Sequence, residues 1–280
     1  MSRILFVSDM DGTLLNAEAK LSARSRELIS ELTDEGAYIT VATARTPATV
    51  QGLLEGTRMR LPAIVMTGAT LWHTDTQQYS HVHYLPPDQY EAIDNAFREA
   101  GVSPFIYCLG ADQHLHVYHR EPHMIPAETQ FVAERRHLAL KEFHIGEIPP
   151  ASDDTHRVLQ FAMGTEEAVR TAAERLREVT HCQVSFYRDT YTDAWILEVY
   201  APGVSKAAAI LRMKEHIGAD RVIVYGDNLN DISMFEIADT AIAVDNALPA
   251  AKEAADAVIG LNTTDAVARS MAAIYRGSAD

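Results

Sequence analysis

Over the first eighty residues, short runs of consecutive apolar residues alternate with stretches of helical period. Ile4-Leu5-Phe6-Val7, followed at once by Ser8-Asp9-Met10-Asp11-Gly12, predicts a short buried parallel strand whose C-terminal end carries the acids. Ser22 then stands where a helix cap belongs. Leu28, Ile29 and Leu32 form one apolar stripe behind it, and Gly36 ends the helix at a position that favours the left-handed region. Ala37 to Ala42 reads as the next strand and runs into Thr43-Ala44-Arg45. Thr46-Pro47 opens a second helix, with a capping residue and an N1 proline in their preferred places. A third strand, Pro62 to Met66, is broken by Thr67-Gly68-Ala69. Strand, helix, strand, helix predicts a parallel sheet with right-handed crossovers.

From about Tyr84 the pattern changes. A helix begun by prolines near Pro87 and stopped by Gly101 precedes β-rich or alternating runs at Phe105 to Leu109, His114 to His119, Val158 to Met163 and Val184 to Tyr187. Between the last two, Thr165 to Val179 is helical by its acidic first turn and its Ala168, Ala172, Leu176, Val179 stripe. The stretch Arg120 to Pro150, with prolines at 122, 126, 149 and 150, gives no assignable element. The first pattern returns at Trp195 to Val199. It continues through a helix opened by Pro202-Gly203-Val204-Ser205-Lys206 and stopped at Gly218, a buried strand Arg221 to Tyr225, Gly226-Asp227-Asn228-Leu229-Asn230-Asp231 with a helix, further strands at Thr240 to Val244 and Ala257 to Ile259, and a last helix from about Thr264. The expected organisation is one α/β core, residues 1–84 and 190–280, interrupted by an inserted α+β domain, residues 85–189.

Composition narrows the function classes. A chain of 280 residues with 47% hydrophobic and 22% charged residues is ordinary for a globular protein, while 24 basic against 39 acidic residues leaves a formal net charge of -15. That balance argues against nucleic acid or an anionic membrane as partner. An anionic small substrate would need local help from a metal and a few basic side chains. Cys108 and Cys182 are far apart and in no metal or redox spacing, which suggests a reducing compartment. Asp9 and Asp11 cut the opening apolar run, unlike a secretory signal, and no stretch reaches bilayer-spanning length, so the cytoplasm is the expected location.

The candidate chemistry gathers at strand ends. In open α/β sheets ligands bind beyond the carboxyl ends of the strands, which is where Asp9 and Asp11 fall. Two residues apart in an extended segment, they would point to the same side and repel unless a cation lies between them or one takes a proton. A hard divalent cation such as Mg2+, with a phosphate completing its shell, meets that need; a tight turn with Gly12 at positive φ is the plainer alternative. Asp227 closes a later strand in the same way and Asp231 follows one turn on, so four carboxylates are expected at one sheet edge. Thr43, followed by backbone amides at a helix start, is equipped to hold a phosphate. Lys206 sits in a first helical turn, where the macrodipole disfavours a cation. A lysine aimed at Asp9 and a phosphate would explain that placement.

In order, Asp9-Met10-Asp11-Gly12-Thr13, Thr43, Lys206 and Gly226 to Asp231 resemble the four motifs of the haloacid dehalogenase-like hydrolases. The insertion after the third strand, Pro202 to Lys206 and Ala243-Val244-Asp245-Asn246-Ala247 are similar to the Cof-type subfamily with its large α+β cap. The resemblance implies a Rossmann-like core with an inserted cap that sets specificity, and a Mg2+-dependent phosphatase of small phosphorylated metabolites, sugar phosphates foremost. It implies Asp9 as the nucleophile that forms an aspartyl-phosphate, and Asp11 as the acid and then the base. Mg2+ would be held by the Asp9 side chain, the Asp11 backbone carbonyl and Asp227, with Asp231 in support. Thr43, Asn230 and Lys206 would bind the phosphoryl oxygens, with Ala44 and Arg45 beside them. Ala44 stands where glycine is usual, and Thr67-Gly68 replaces the usual Asn-Gly. A phosphomutase using the same intermediate, and a non-catalytic metabolite-binding protein, are the competing expectations.

Other residues read more plainly. His114, His116 and His119 invite zinc, but without a nearby thiolate or carboxylate pattern they read as structural or substrate-contact residues. Glu134-Arg135-Arg136-His137 reads as a solvated face. Tyr187, Arg188 and Tyr191, at the expected exit from the insertion, are candidates to line a closed site, or to pack at a hinge.

Overall fold

The computed structural model describes residues 3–150, 155–188 and 194–277. The chain divides into two compact units, Met1–Ser80 with Ser205–Asp280, and His81–Val204.

The first unit opens with β1 (Ile4–Ser8), α1 (Ala23–Asp34), β2 (Tyr38–Val41) and α2 (Pro47–Leu54), followed by a meander of β3 (Ala63–Val65), β4 (Thr70–His73) and β5 (Gln78–Ser80). The second contributes α3 (Tyr90–Glu99), β6 (Phe105–Leu109), β7 (Leu115–His119), α4 (Pro126–Arg135), β8 (Lys141–Ile145), β9 (His156–Gly164), α5 (Glu166–Val179), β10 (Gln183–Arg188) and β11 (Trp195–Tyr200). The chain then returns to the first unit with α6 (Lys206–Ile217), β12 (Arg221–Gly226), α7 (Ile232–Ile237), β13 (Thr240–Ala243), α8 (Pro249–Ala254), β14 (Ala257–Val258) and α9 (Ala266–Gly277).

In the first unit the sheet order is β14-β13-β12-β1-β2, every pair parallel. Leu5, Phe6 and Val7 on the central strand are wholly buried, as a strand covered on both faces requires; each such side chain contributes roughly 1.5–3 kcal/mol relative to exposure. Ser22 caps α1 by accepting the Ser25 amide at 2.9 Å, as the sequence predicts. Pro47 takes N1 of α2, but the Thr46 hydroxyl makes no capping bond and is buried without a partner. β3 joins the parallel sheet only through an Ala42–Ile64 bridge and pairs antiparallel with β4.

The second unit is a six-stranded sheet, β10-β11-β9-β6-β7-β8, antiparallel except for β7 with β8. Ile93 and Phe97 of α3, Val169 and Leu176 of α5, and Leu197 and Val199 of β11 share one buried cluster. Trp195 to Val199 therefore belongs to the inserted unit rather than to the core. The division falls at 80/81 and 204/205, against the expected 84/85 and 189/190. The cause is burial: residues 196–200 are buried on both faces of β11, so the run reads like a parallel core strand. The stretch Arg120 to Pro150 also differs from expectation, since it carries α4 and β8. Among the described residues no helix is long and apolar enough to cross a membrane.

Lys141 on β8 is 6% exposed, with its ammonium 5.2 Å from the Tyr107 ring centroid and 5.7 Å from that of Phe143. Burial, reinforced by the Arg135 charge, pushes its pKa down to about 7. The unfolded lysine holds its proton up to about 10.4. Folding therefore carries its full cost below about pH 7, and stability rises with pH between these two values. Lys141→Met, which keeps the stem among the aromatic rings, is expected to stabilise the protein by roughly 2–4 kcal/mol at pH 7 and by under about 1 kcal/mol at pH 10. Urea denaturation of both proteins at the two pH values checks it; a gain independent of pH would contradict it.

Candidate active site

Sheet register builds the site. Ser8 pairs with Tyr225 on one side and with Val41 on the other, so Asp9, the Gly226-Asp227 pair and Thr43 leave their strands near one level of the carboxyl edge. β1 also lies where the sheet order turns, β2 to one side and β12 to the other, and such crevices are where open α/β sheets take ligands.

Asp9 ends β1 with its amide bound to the Tyr225 carbonyl at 2.9 Å. Its carboxylate Oδ1 accepts from Lys206 Nζ at 2.6 Å, and the same ammonium donates to Asp231 Oδ1 at 2.8 Å. Lys206 is fully buried at the first residue of α6, behind the Ser205 cap. The two carboxylates explain a cation at the wrong end of a helix dipole. Asp231 Oδ2 accepts from the Asp227 amide at 3.0 Å and the Asn228 amide at 3.2 Å, so both its oxygens are committed. Asp227 Oδ1 accepts from the Thr13 hydroxyl at 2.7 Å. Its other oxygen faces Gly12, where an added Cβ would lie only 2.4 Å away; Gly12 is thus required both for that space and for its φ of 74°. Asn246 Nδ2 donates to the Gly12 carbonyl at 2.7 Å and fixes the turn from the far side.

Asp11 does not join this group. The chain leaves the extended conformation at Met10, and Arg45 Nε and Nη2 each reach an Asp11 carboxylate oxygen at 2.6 Å. The expectation that Asp9 and Asp11 point to one side, and that four carboxylates meet, is therefore corrected. Asp9, Asp227 and Asp231 bring carboxylate oxygens within 4.8 Å of one another, while the fourth acid is neutralised by a bidentate arginine. Thr43 is buried, and its hydroxyl accepts the Arg45 amide at 3.1 Å. Ala44 lies between them, half-buried. Asn230 is exposed on the turn before α7 and takes no part in the hydrogen-bond network around Asp231. Tyr187 and Arg188 lie on β10 of the other unit, and Tyr191 falls outside the described residues. Thr13 and Asn246, both inside segments the family motifs cover, carry positioning bonds that lie outside the site expected from the sequence.

Charge is the dominant property of the site. Burial pushes the Asp9 carboxyl well above its usual range, with Lys206 opposing and Asp231 adding to the rise. Asp227 is raised to about 6, again chiefly by burial, with the Thr13 bond opposing. The Lys206 ammonium is held above its usual value: burial opposes its charge, but Asp231 and Asp9 together outweigh that cost. Three carboxylates facing one ammonium leave an excess of two negative charges. Asp9 Oδ2 and Asp227 Oδ2 accept no hydrogen bond from the described residues. An all-oxygen donor set with that excess fits a hard divalent cation.

A family model described as haloacid dehalogenase-like hydrolase matches residues 6–271. The chain belongs to the haloacid dehalogenase-like hydrolases. Among members of the family, 5-amino-6-(5-phospho-D-ribitylamino)uracil phosphatase YcsE of Bacillus subtilis is 28% identical over 95% of this chain and 94% of its own length. Pyridoxal phosphate phosphatase YbhA of Escherichia coli is 23% identical, over 96% and 97% of the two chains. A haloacid dehalogenase-like hydrolase from Bacteroides thetaiotaomicron superposes with a TM-score of 0.77 at 21% identity, covering 98% of this chain and 100% of its own. A subclass IIB sugar phosphatase gives 0.70 at 22% identity, covering 98% and 99%. Where this hydrolase departs from the usual Asn-Gly, Thr67 adopts φ 57°, a left-handed conformation that asparagine tolerates better than a β-branched residue. Gly68 beside it is obligatory, because a Cβ there would lie 2.4 Å from the Ser205 carbonyl oxygen, next to Lys206.

Proposed function

We propose that this hydrolase is a Mg2+-dependent phosphatase of small phosphorylated metabolites, sugar phosphates foremost, acting through an aspartyl-phosphate at Asp9. The observation that carries the reading is the state of Asp9: buried at the mouth of the central strand, one oxygen clamped by Lys206 and the other without a donor among the described residues. A nucleophile needs one oxygen oriented and the other free.

Asp9 and Asp227, with the Asp11 backbone carbonyl, would hold Mg2+, and Asp231 would act on it indirectly, since its oxygens are spent on Lys206 and on two backbone amides. When bound, the ion supplies charge neutralisation for the incoming phosphoryl group. Asp9 Oδ2 forms the bond to phosphorus as the ester oxygen leaves. Asp11 gives that oxygen its proton and then takes one from the water that attacks the phosphoryl-aspartate at phosphorus. It must first part from Arg45 and take up a proton from solvent, and an arriving phosphate competes for that guanidinium. Arg45 thus couples substrate arrival to release of the acid. Lys206 and Thr43 receive charge on the phosphoryl oxygens during transfer.

Release of inorganic phosphate from sugar phosphates, 5-phosphoribityl compounds, pyridoxal phosphate and p-nitrophenyl phosphate, with Mg2+ and with EDTA, tests the reading. Metal-dependent release is expected. A folded, Mg2+-loaded protein that releases none while interconverting phosphate isomers would make it a mutase instead.

A further inference from the structure

The second unit carries a cluster that the hydrolase chemistry does not use. In the parallel pairing of β7 with β8, His116 lies opposite Glu142 and Tyr118 opposite His144, which puts both imidazoles on one face of the sheet. His116 Nδ1 and His144 Nε2 are 3.2 Å apart, and Glu142 Oε2 lies 3.7 Å from the same His116 nitrogen. All three ligand atoms fall within 4.8 Å of one another. Two nitrogens bound tetrahedrally to zinc at 2.0–2.1 Å stand about 3.3 Å apart, close to the spacing found here.

The outward ring nitrogens strengthen the case. His116 Nε2 faces Asp112 Oδ2 at 3.2 Å, and His144 Nδ1 faces Glu147 Oε2 at 3.8 Å. A histidine that binds metal through one nitrogen commonly donates its other N–H to a carboxylate, which fixes the tautomer and turns the free lone pair inward. His116 has that arrangement, while the Glu147 carboxylate stands beyond hydrogen-bond distance of His144 and offers it only a nearby negative charge. Tyr118 stacks on the His144 ring, 4.6 Å between centroids and 15° between planes, and holds its orientation. The two imidazoles are 24% and 21% exposed, and Glu142 is open to water, so an ion can enter and a water can complete its shell. The remaining histidines of the stretch are engaged elsewhere: His119 is buried against Phe105 with Nδ1 on the Glu121 carbonyl, and His114 is exposed beyond the start of β7.

We infer that His116, His144 and Glu142 form a zinc site on the β7–β8 face of the inserted unit, with Asp112 as a positioning residue. Two imidazoles and one carboxylate select a borderline transition metal over Mg2+, so this site and the carboxylate cluster of the first unit take different ions. The site also ties β8, an edge strand paired only with β7 among the described residues, to its neighbour.

Calorimetric titration of the chelator-stripped full chain with Zn2+ in excess Mg2+ tests this, with Co2+ absorbance reporting tetrahedral geometry. One equivalent is expected in the wild type and equally in Asp227→Asn, whose first-unit cluster is impaired. His116→Ala, His144→Ala and the exposed Glu142→Gln should each weaken binding at least tenfold, and Asp112→Asn by about tenfold, while the metal-free melting of each stays close to that of the wild type. Absence of zinc binding would overturn the site and leave the 3.2 Å contact as an imidazole–imidazole hydrogen bond. So would an equivalent lost in Asp227→Asn and retained in both histidine variants.

Discussion

Asp9→Asn is expected to fold like the wild type and to lose phosphatase turnover by at least about 10³-fold, as removal of a covalent nucleophile does. The substitution is nearly isosteric and still offers Lys206 an acceptor, so the network around Asp231 remains. Burial raises the Asp9 pKa because its charge is poorly compensated before a cation arrives. Removing that charge should leave the metal-free melting temperature unchanged or higher. Turnover and thermal melting of the two metal-stripped proteins, with activity measured after Mg2+ is restored, check both halves. Near-normal turnover in Asp9→Asn would remove it as the nucleophile.

Lys206→Met carries the second large effect, and this one is on stability. Lys206 is the only cation in direct contact with Asp9 and Asp231 among the described residues, and its side chain is 1% exposed. Removing one partner from a buried ion pair strands the other and costs about 3–5 kcal/mol. Here two carboxylates would be left facing each other. The loss should shrink in the double variant Lys206→Met/Asp231→Asn, whose asparagine can still accept the Asp227 and Asn228 amides. Mg2+ should also stabilise Lys206→Met more than the wild type, because it supplies positive charge to the same oxygens. Trp72, buried in the first unit, reports this transition by fluorescence, with Trp195 of the second unit replaced by Phe in every protein compared. A Lys206→Met protein as stable as the wild type would mean that Asp9 and Asp231 do not depend on this ammonium.

Much of the first unit was legible because its signals are local. A four-residue apolar run, Ser22 at a cap and an acid after each central strand are each readable within a few residues, and the structure has them where the pattern predicts. What failed to show in the sequence depended on pairings across long separations. Asp11 looks like a partner of Asp9 until the chain leaves the extended conformation at Met10 and the Asp11 carboxylate meets Arg45, 34 residues away. β11 looks like a core strand because both its faces are buried.

The insertion was obscured by chemistry rather than distance. The cap position before α4 is Ile125, which has no side-chain acceptor; Glu128 instead reaches back to accept from the Ile125 amide at 2.9 Å. β8 alternates correctly only when Lys141 is counted with Phe143 as an inward residue, and a buried lysine is the case that hydrophobic patterning reads wrongly. Glu142 and His144 come beside His116 only through the β7–β8 pairing, so without β8 the histidines of that stretch lack the carboxylates a metal reading requires.

The most direct test of the mechanism is the stereochemical course at phosphorus. A phosphorothioate monoester made chiral at phosphorus with oxygen isotopes would be hydrolysed by the Mg2+-loaded enzyme and the product configuration determined. Attack by Asp9 followed by attack of water at the same phosphorus inverts it twice, so net retention is expected. Net inversion would mean that water attacks the substrate directly, and Asp9 would not be the nucleophile.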